Sequence, residues 1–268
     1  MANNSASLRI HPIPAFQDNY IWVIDNGQHA LVVDPGTAEG VVQYLTQHHL
    51  ILTTILITHH HNDHTGGIDA LTEYYNPVVY GPLKEEIAGV THGLVPGDVI
   101  DINDLGLHFA VLDFSGHTLG HIGYSAPTML FCGDTLFSAG CGRIFEGTPE
   151  RMFKALNSIK TLPLNTRIYC THEYTQNNIE FALAVEPHNI ALQQYAKRVN
   201  LLRQKHLPTL PTNLELELSV NPFLRTDQAT LMEALASQYP KAIQDALSLF
   251  TFLRAWKNVF PHPPSLGH

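Results

Sequence analysis

At 268 residues the chain is long enough for one large domain, or for a medium domain with a smaller appendage, and neither needs a metal or a disulfide merely to fold. Fifteen Lys+Arg against twenty-four Asp+Glu give a formal charge of -9, which argues against nucleic acid or an anionic membrane as the main partner. A small anionic ligand would therefore need a local basic pocket. Cys132, Cys141 and Cys170 are odd in number and lack C-x-x-C spacing, so they read as small packed residues of a protein kept reduced. Residues 1–7 have no basic-then-apolar leader pattern, and no run of about eighteen apolar residues occurs. The expected form is a cytoplasmic monomer.

Between residue 8 and about residue 174, short apolar, β-branched runs alternate with turns. These predict strands over 20–24, 30–33, 54–58, 78–80, 107–114, 128–132 and 167–171. Helical patterns fall between some of them, over 39–48, 67–75 and 149–161, the last opened by Thr148-Pro149-Glu150 as cap and first turn. The alternation predicts a layered α/β domain over residues 1–175. Beyond it the character changes to helices over 177–185, 189–205, 227–237 and 241–258, broken at Pro187, Pro208, Pro211 and Pro240. Residues 176–268 therefore read as a smaller, mainly helical second domain.

Seventeen histidines are the compositional outlier, and their placement matters more than their number. The loop Thr58-His59-His60-His61-Asn62-Asp63-His64 follows the apolar run Ile55-Leu56-Ile57 and reads H-x-H-x-D-H. Four imidazole or carboxylate groups within six residues exceed what one catalytic metal with an open position asks of a single loop, which suggests two ions. Further ligand candidates stand after other predicted strands: His117 in Gly116-His117-Thr118-Leu119-Gly120-His121, Asp134 in Cys132-Gly133-Asp134-Thr135, and His172 in Cys170-Thr171-His172-Glu173. Asp34, in Val33-Asp34-Pro35-Gly36, reads equally as a turn residue or as a carboxylate that orients a metal-bound histidine. His60 and Asn62 read as spacers, His121 is left without a role, and the ten remaining histidines, His262 and His268 among them, sit at no ligand spacing.

The loop, the G-H-T-x-G-H segment, the G-D-T and the later histidine together resemble the metallo-β-lactamase superfamily, which implies an αββα sandwich. The resemblance also implies His59, His61 and His117 around one ion, Asp63, His64 and His172 around the other, and the Asp134 carboxylate between them. The lactamases proper often carry cysteine at the second-metal position where Asp134 stands here. Such a donor set accepts zinc first, with iron or manganese as alternatives.

Finer segments narrow the resemblance: Asp18-Asn19-Tyr20, Gly140-Cys141-Gly142-Arg143-Ile144-Phe145-Glu146-Gly147, His172-Glu173-Tyr174-Thr175, Asn221-Pro222-Phe223-Leu224-Arg225 and Arg254-Ala255-Trp256-Lys257. Together they resemble the hydroxyacylglutathione hydrolase (glyoxalase II) family over about residues 12–260. That resemblance implies hydrolysis of a glutathione thioester by a hydroxide held between two ions, with Asp63, His64 and Asp134 nearest the chemistry. It also implies glutathione binding by Arg143, Phe145, Tyr174, Arg254 and Lys257. The family often has Lys and Tyr where Arg143 and Phe145 stand, and a phenyl ring offers no hydroxyl. On spacing alone, Arg254 and Lys257 would read as a solvated helix face. The enzymatic rival is the mononuclear iron persulfide dioxygenase branch of the same superfamily, and from another class a non-catalytic metal-binding module.

Overall fold

The computed structural model describes residues 8–261, so the expectations for residues 1–7, His262 and His268 lie outside the described residues. The first sheet runs in chain order through β1 (Arg9–Ala15), β2 (Asn19–Asp25), β3 (His29–Val33), β4 (Ile51–Leu56), β5 (Val78–Pro82) and β6 (His92–Leu94). It is antiparallel from β1 to β3 and parallel from β3 to β6. The second sheet has β7 (Val99–Ile102), β8 (Leu107–Asp113), β9 (Ile122–Ala126) and β10 (Met129–Gly133) side by side. A two-stranded hairpin, β11 (Leu136–Phe137) with β12 (Gly140–Cys141), stands apart before β13 (Arg167–Cys170) and β14 (Thr212–Asn213) complete that sheet.

Strand alternation sorts the first sheet into two cores. Tyr20, Trp22, Ile24, Leu31, Val33 and Leu56 face the second sheet and pack with Phe109, Val111, Tyr124, Phe131 and Tyr169. Their neighbours Ile21, Val23, Ala30, Val32, Ile55 and Ile57 face outward and are covered by α1 (Glu39–Gln47) and, after the single turn α2 (Asn62–Thr65), by α3 (Ile68–Tyr75). Strands covered on both faces read as continuous apolar runs, which is why these were legible in the sequence. Strands β1, β6, β7 and β9 were not expected. β1 alternates buried and exposed residues and carries two prolines, β6 is three residues long, and β7 is half exposed.

The far side of the second sheet is covered by α4 (Pro149–Ile159), capped by Thr148, whose side chain accepts the Arg151 N–H. After β13 come α5 (Thr175–Val185), α6 (Ile190–Arg203), α7 (Leu214–Val220), α8 (Ala229–Gln238) and α9 (Ala246–Val259). Two of these depart from expectation. The last helix opens at Ala246 rather than 241, because Asp245 and Ser248 form a capping box there. Helix α7 hid in the alternating Leu-Glu-Leu-Glu-Leu, which has no helical period.

Helix α7 also supplies the buried Glu217. Its carboxylate accepts from Ser138 Oγ (2.7 Å), Thr212 Oγ1 (2.6 Å), the Ala139 N–H (2.8 Å) and Asn221 Nδ2 (3.0 Å). Asn221 also donates to Phe137 O and Gly140 O. The helical region thus grips the β11–β12 hairpin, from which the chain runs on into Gly142 and Arg143.

Candidate metal centre and adjoining cleft

The loops that follow β4, β8, β10 and β13 converge on one point. Beyond β4, the turn α2 presents Asp63 and His64 with His61 as its N-cap residue. His59 Nε2 and His117 Nε2 each lie 3.0 Å from His61 Nδ1. Asp63 Oδ2 lies 3.6 Å from His64 Nε2 and 3.4 Å from His172 Nε2. Asp134 stands between the two groups. Its Oδ2 is 3.4 Å from His117 Nε2, and its Oδ1 is 3.4 Å from both His64 Nε2 and His172 Nε2.

Whether these residues fit metal ions can be decided from where their protons must sit. Thr58 Oγ1 donates to Asp34 Oδ2 (2.8 Å), so it accepts from His59 Nδ1–H (3.0 Å). His117 Nδ1–H donates to Arg143 O (2.7 Å), His64 Nδ1–H to Asp34 Oδ2 (3.0 Å) and His172 Nδ1–H to Asp18 Oδ1 (2.8 Å). Each of these four rings therefore turns Nε2 inward, where the neutral ring carries its lone pair. The His59 and His117 lone pairs both face His61 Nδ1, whose single proton can satisfy only one of them. In the other half, His64 Nε2 and Asp134 Oδ1 are buried with no hydrogen-bond partner. Converging lone pairs and carboxylate oxygens repel one another unless cations lie between them, so the donor set fits divalent metals.

The electrostatics distinguish the two halves, neutral imidazoles in one and a demand for positive charge in the other. Burial and the surrounding imidazoles lower the pKa values of His59 and His61, leaving neutral ligands. Burial would lower His64 and His172 too, but Asp134 and the other carboxylates draw positive charge there and raise both. Asp63 and Asp134 stay ionised despite burial, held well below the usual carboxylate range by the neighbouring imidazoles.

Asp34 follows β3 directly and reaches His64. It is a turn residue with φ of 51°, and its carboxylate takes the Thr58 N–H (2.8 Å), the Thr58 hydroxyl and His64. His60 turns away from the centre to pair with Glu146 at 2.7 Å. Several contributors carried no spacing signal. Asp18 reaches His172 across 154 residues, and Asn19 Nδ2 donates to Asp63 Oδ2 at 3.0 Å. His121 stacks on His59 with centroids 4.6 Å apart and accepts the Asp134 N–H. Only the Asp18-Asn19-Tyr20 and G-H-T-x-G-H matches hinted at them.

A cleft of about 380 Å³ adjoins the centre and shares His117 and Asp134 with it. Arg143, Phe145, Tyr174, Arg254 and Lys257, all singled out in the sequence, line it together with Cys141 and Asn177. Tyr174 stacks on His172 with centroids 4.6 Å apart. The Phe145 ring lies 5.2 Å from His117, but its N–H is already given to His117 O, so that main-chain donor is not free for a ligand. Arg254 and Lys257 are not on a solvated face: each is 7% exposed. Arg254 Nη1 donates to Cys141 O (2.8 Å) and Lys257 Nζ to Asn177 O (2.8 Å). Burial, with Arg254 nearby, brings the Lys257 ammonium down to about 8.

Comparison with known proteins matches both parts of the chain. Residues 15–172 match the metallo-beta-lactamase superfamily and residues 173–260 the hydroxyacylglutathione hydrolase C-terminus. The chain is 52% identical over 255 residues to hydroxyacylglutathione hydrolase 2 of Vibrio vulnificus, covering 94% of this chain and 100% of that one. It is 45% identical to hydroxyacylglutathione hydrolase of Nitrosomonas europaea, covering 94% and 97%. Among solved structures, ETHE1 from Myxococcus xanthus superposes with a TM-score of 0.62 at 22% identity, over 94% of this chain and 99% of that one, a likeness of fold alone. With both halves of the chain matched and the loops after β4, β8, β10 and β13 converging on one set of donors, the protein belongs to the hydroxyacylglutathione hydrolase family of metal-dependent hydrolases.

Proposed function

We propose that the chain hydrolyses S-D-lactoylglutathione and other S-2-hydroxyacylglutathiones to glutathione and a 2-hydroxy acid such as D-lactate, the hydrolytic step of methylglyoxal removal. The observation that carries this reading is the cleft bearing Arg143, Arg254 and Lys257, which opens on the same Asp134 and His117 that face the metal centre. An acidic protein has gathered its cations where the carboxylates of glutathione would lie.

His59, His61 and His117 would hold one ion, and Asp63, His64 and His172 the other. The Asp134 carboxylate turns one oxygen to each group, which supports a two-ion centre. When bound, the ions would supply Lewis acidity toward the thioester carbonyl and a water activated near neutral pH. The protein's own part is to orient. Asp34 and Thr58 fix His64 and His59, Arg143 O fixes His117, and Tyr174 and Phe145 wall the path from the cleft to the centre. No cysteine is poised as a nucleophile, because burial pushes the thiols of Cys132, Cys141 and Cys170 upward.

The substrate-binding roles of Arg143, Phe145, Tyr174, Arg254 and Lys257, and a division into a catalytic part over 1–175 and a substrate-binding part over 176–268, belong to this reading. So do zinc as the resident metal and a monomeric, cytoplasmic form. Among the described residues no helix is long and apolar enough to cross a membrane. The persulfide dioxygenase reading has no comparable support, since the helical region matches the hydrolase C-terminus. Metal analysis beside an assay of S-D-lactoylglutathione cleavage is the test. Two ions per chain with fast thioester cleavage are expected, and one iron with oxygen uptake on glutathione persulfide would overturn the reading.

A further inference from the structure

The turn between β1 and β2 is the place where the first sheet reaches across to the end of β13 in the second. It is fastened there by two backbone bonds and one between side chains. The Tyr20 N–H donates to Thr171 O (2.6 Å), the Glu173 N–H donates to Asp18 O (2.8 Å), and Tyr20 Oη donates to Glu173 Oε2 (3.0 Å). Asn19 also pairs with His172 as an isolated bridge. With the backbone held, two adjacent side chains reach two different metal-ligand candidates. Asp18 Oδ1 accepts from His172 Nδ1–H at 2.8 Å, and the 5% exposed Asn19 donates from Nδ2 to Asp63 Oδ2 at 3.0 Å. That Asp63 oxygen is the one lying 3.4 Å from His172 Nε2. Neither Asp18 nor Asn19 hydrogen-bonds to His59, His61 or His117; the His59 and His117 rings are held by Thr58 Oγ1 and Arg143 O instead.

We propose that Asp18 and Asn19 are positioning residues that set occupancy of the second metal position, formed by Asp63, His64 and His172, and leave the first to its own supports. The chemistry of the pair fits that task. Asp63 is more than a third exposed, so without a partner its carboxylate would sample orientations in which neither oxygen faces the ion. A neutral amide N–H takes one lone pair of Oδ2 and fixes the carboxylate plane without cancelling its charge. A lysine or arginine at position 19 would hold Asp63 equally well but would compete with the cation. Asp18 does the complementary work on His172, fixing the tautomer and making Nε2 a stronger donor. Because both residues sit on one turn, the first sheet acts on both ligands together.

The proposal rests on the two-ion reading, and the test separates the two. Wild type, Asn19→Leu, Asp18→Ala and Asp18→Asn are purified, and metal per chain and stepwise affinities are measured by competition with a chromophoric chelator. Wild type is expected to bind two ions. Asn19→Leu and Asp18→Ala should keep the first ion at wild-type affinity and bind the second about 10–100-fold more weakly. Asp18→Asn, whose amide oxygen still accepts from His172, should recover most of the loss, which a merely structural role for the turn would not produce. Melting of the metal-free proteins at the wild-type temperature shows that the fold is intact. If wild type holds two ions and both Asn19→Leu and Asp18→Ala match it, or if the two ions weaken equally, the clamp is refuted while the two-ion reading stands. One ion in the wild-type protein overturns both.

Discussion

Gly142 is the position where a single methyl group should damage the centre without replacing any proposed ligand. It belongs to the Gly140-Cys141-Gly142-Arg143 turn and packs against the main chain of Asp134. A Cβ placed on it would lie 1.8 Å from Asp134 O and 3.5 Å from His117 Nδ1. Real Cβ contacts do not fall under 3.0 Å, so Gly142→Ala must move one backbone or the other by more than 1 Å. Neither can yield easily: the Gly142 N–H is bonded to Thr135 O, and Arg143 O holds His117 Nδ1. Overpacking of a tight interior costs about 1–3 kcal/mol, and two backbone segments meeting head on belong at the upper end. At roughly 2–4 °C per kcal/mol for a chain of this size, the melting temperature should fall by about 6–12 °C. A displacement of about 1 Å at Asp134 and His117 should lower kcat by about 100-fold and weaken metal binding. Gly106→Ala is the control. Gly106 has φ of +62° with open space around it, so alanine there costs about 1–2 kcal/mol of backbone strain and should leave metal content and kcat alone. Calorimetry, metal analysis and steady-state kinetics on the two variants decide the matter. A Gly142→Ala protein with wild-type metal content and kcat would refute the close-packing argument.

Other consequences can be checked with the same assays. Asp134→Ala should lose metal and turnover together, and His61→Ala likewise; full metal content and rate in Asp134→Ala would end the two-ion reading. Asp34→Ala strands the Thr58 N–H, the Thr58 hydroxyl and His64 Nδ1–H, at about 1–3 kcal/mol for each donor left unsatisfied, and should weaken metal binding about 10–100-fold. A metal titration that overlays the wild type would show that Asp34 is only a turn residue. Lys257, lowered to about 8 by burial and by Arg254, is charged below that pH and loses its charge above it. KM for the anionic substrate should therefore rise as pH climbs through about 8 with kcat flat, and Lys257→Met should have a high KM with no such inflection. The same depressed value makes folding stability rise with pH between about 8 and 10.5, because the unfolded chain holds that proton longer. An unchanged inflection in Lys257→Met would assign it to another group.

The sequence by itself determined the parts that local chemistry encodes. Strands covered on both faces, such as β2 to β4, announce themselves as unbroken apolar runs. Likewise, His59, His61, Asp63 and His64 fall within one short loop, so their fitness as a donor set is visible in their spacing. The family resemblance then singled out His117, Asp134, His172 and the cleft residues, which the fold brings together although nothing local joins residue 143 to residue 257.

Tertiary structure alone decided the rest. Asp18 faces His172 because the two sheets meet at their strand ends, and Asn19 faces Asp63 and Asp34 faces His64 because strand ends gather within the first sheet, pairings across 30 to 154 residues that no periodicity records. The last helix shows the same limit in reverse. The i, i+3 spacing of Arg254 and Lys257 fits an exposed face as well as a buried one, and only the packing of α9 against the Cys141 and Asn177 carbonyls settles which face it is. Hydrogen bonds between distant segments depend on where the backbone brings them, so the donor's partner is fixed by the fold while its chemistry is fixed by the residue.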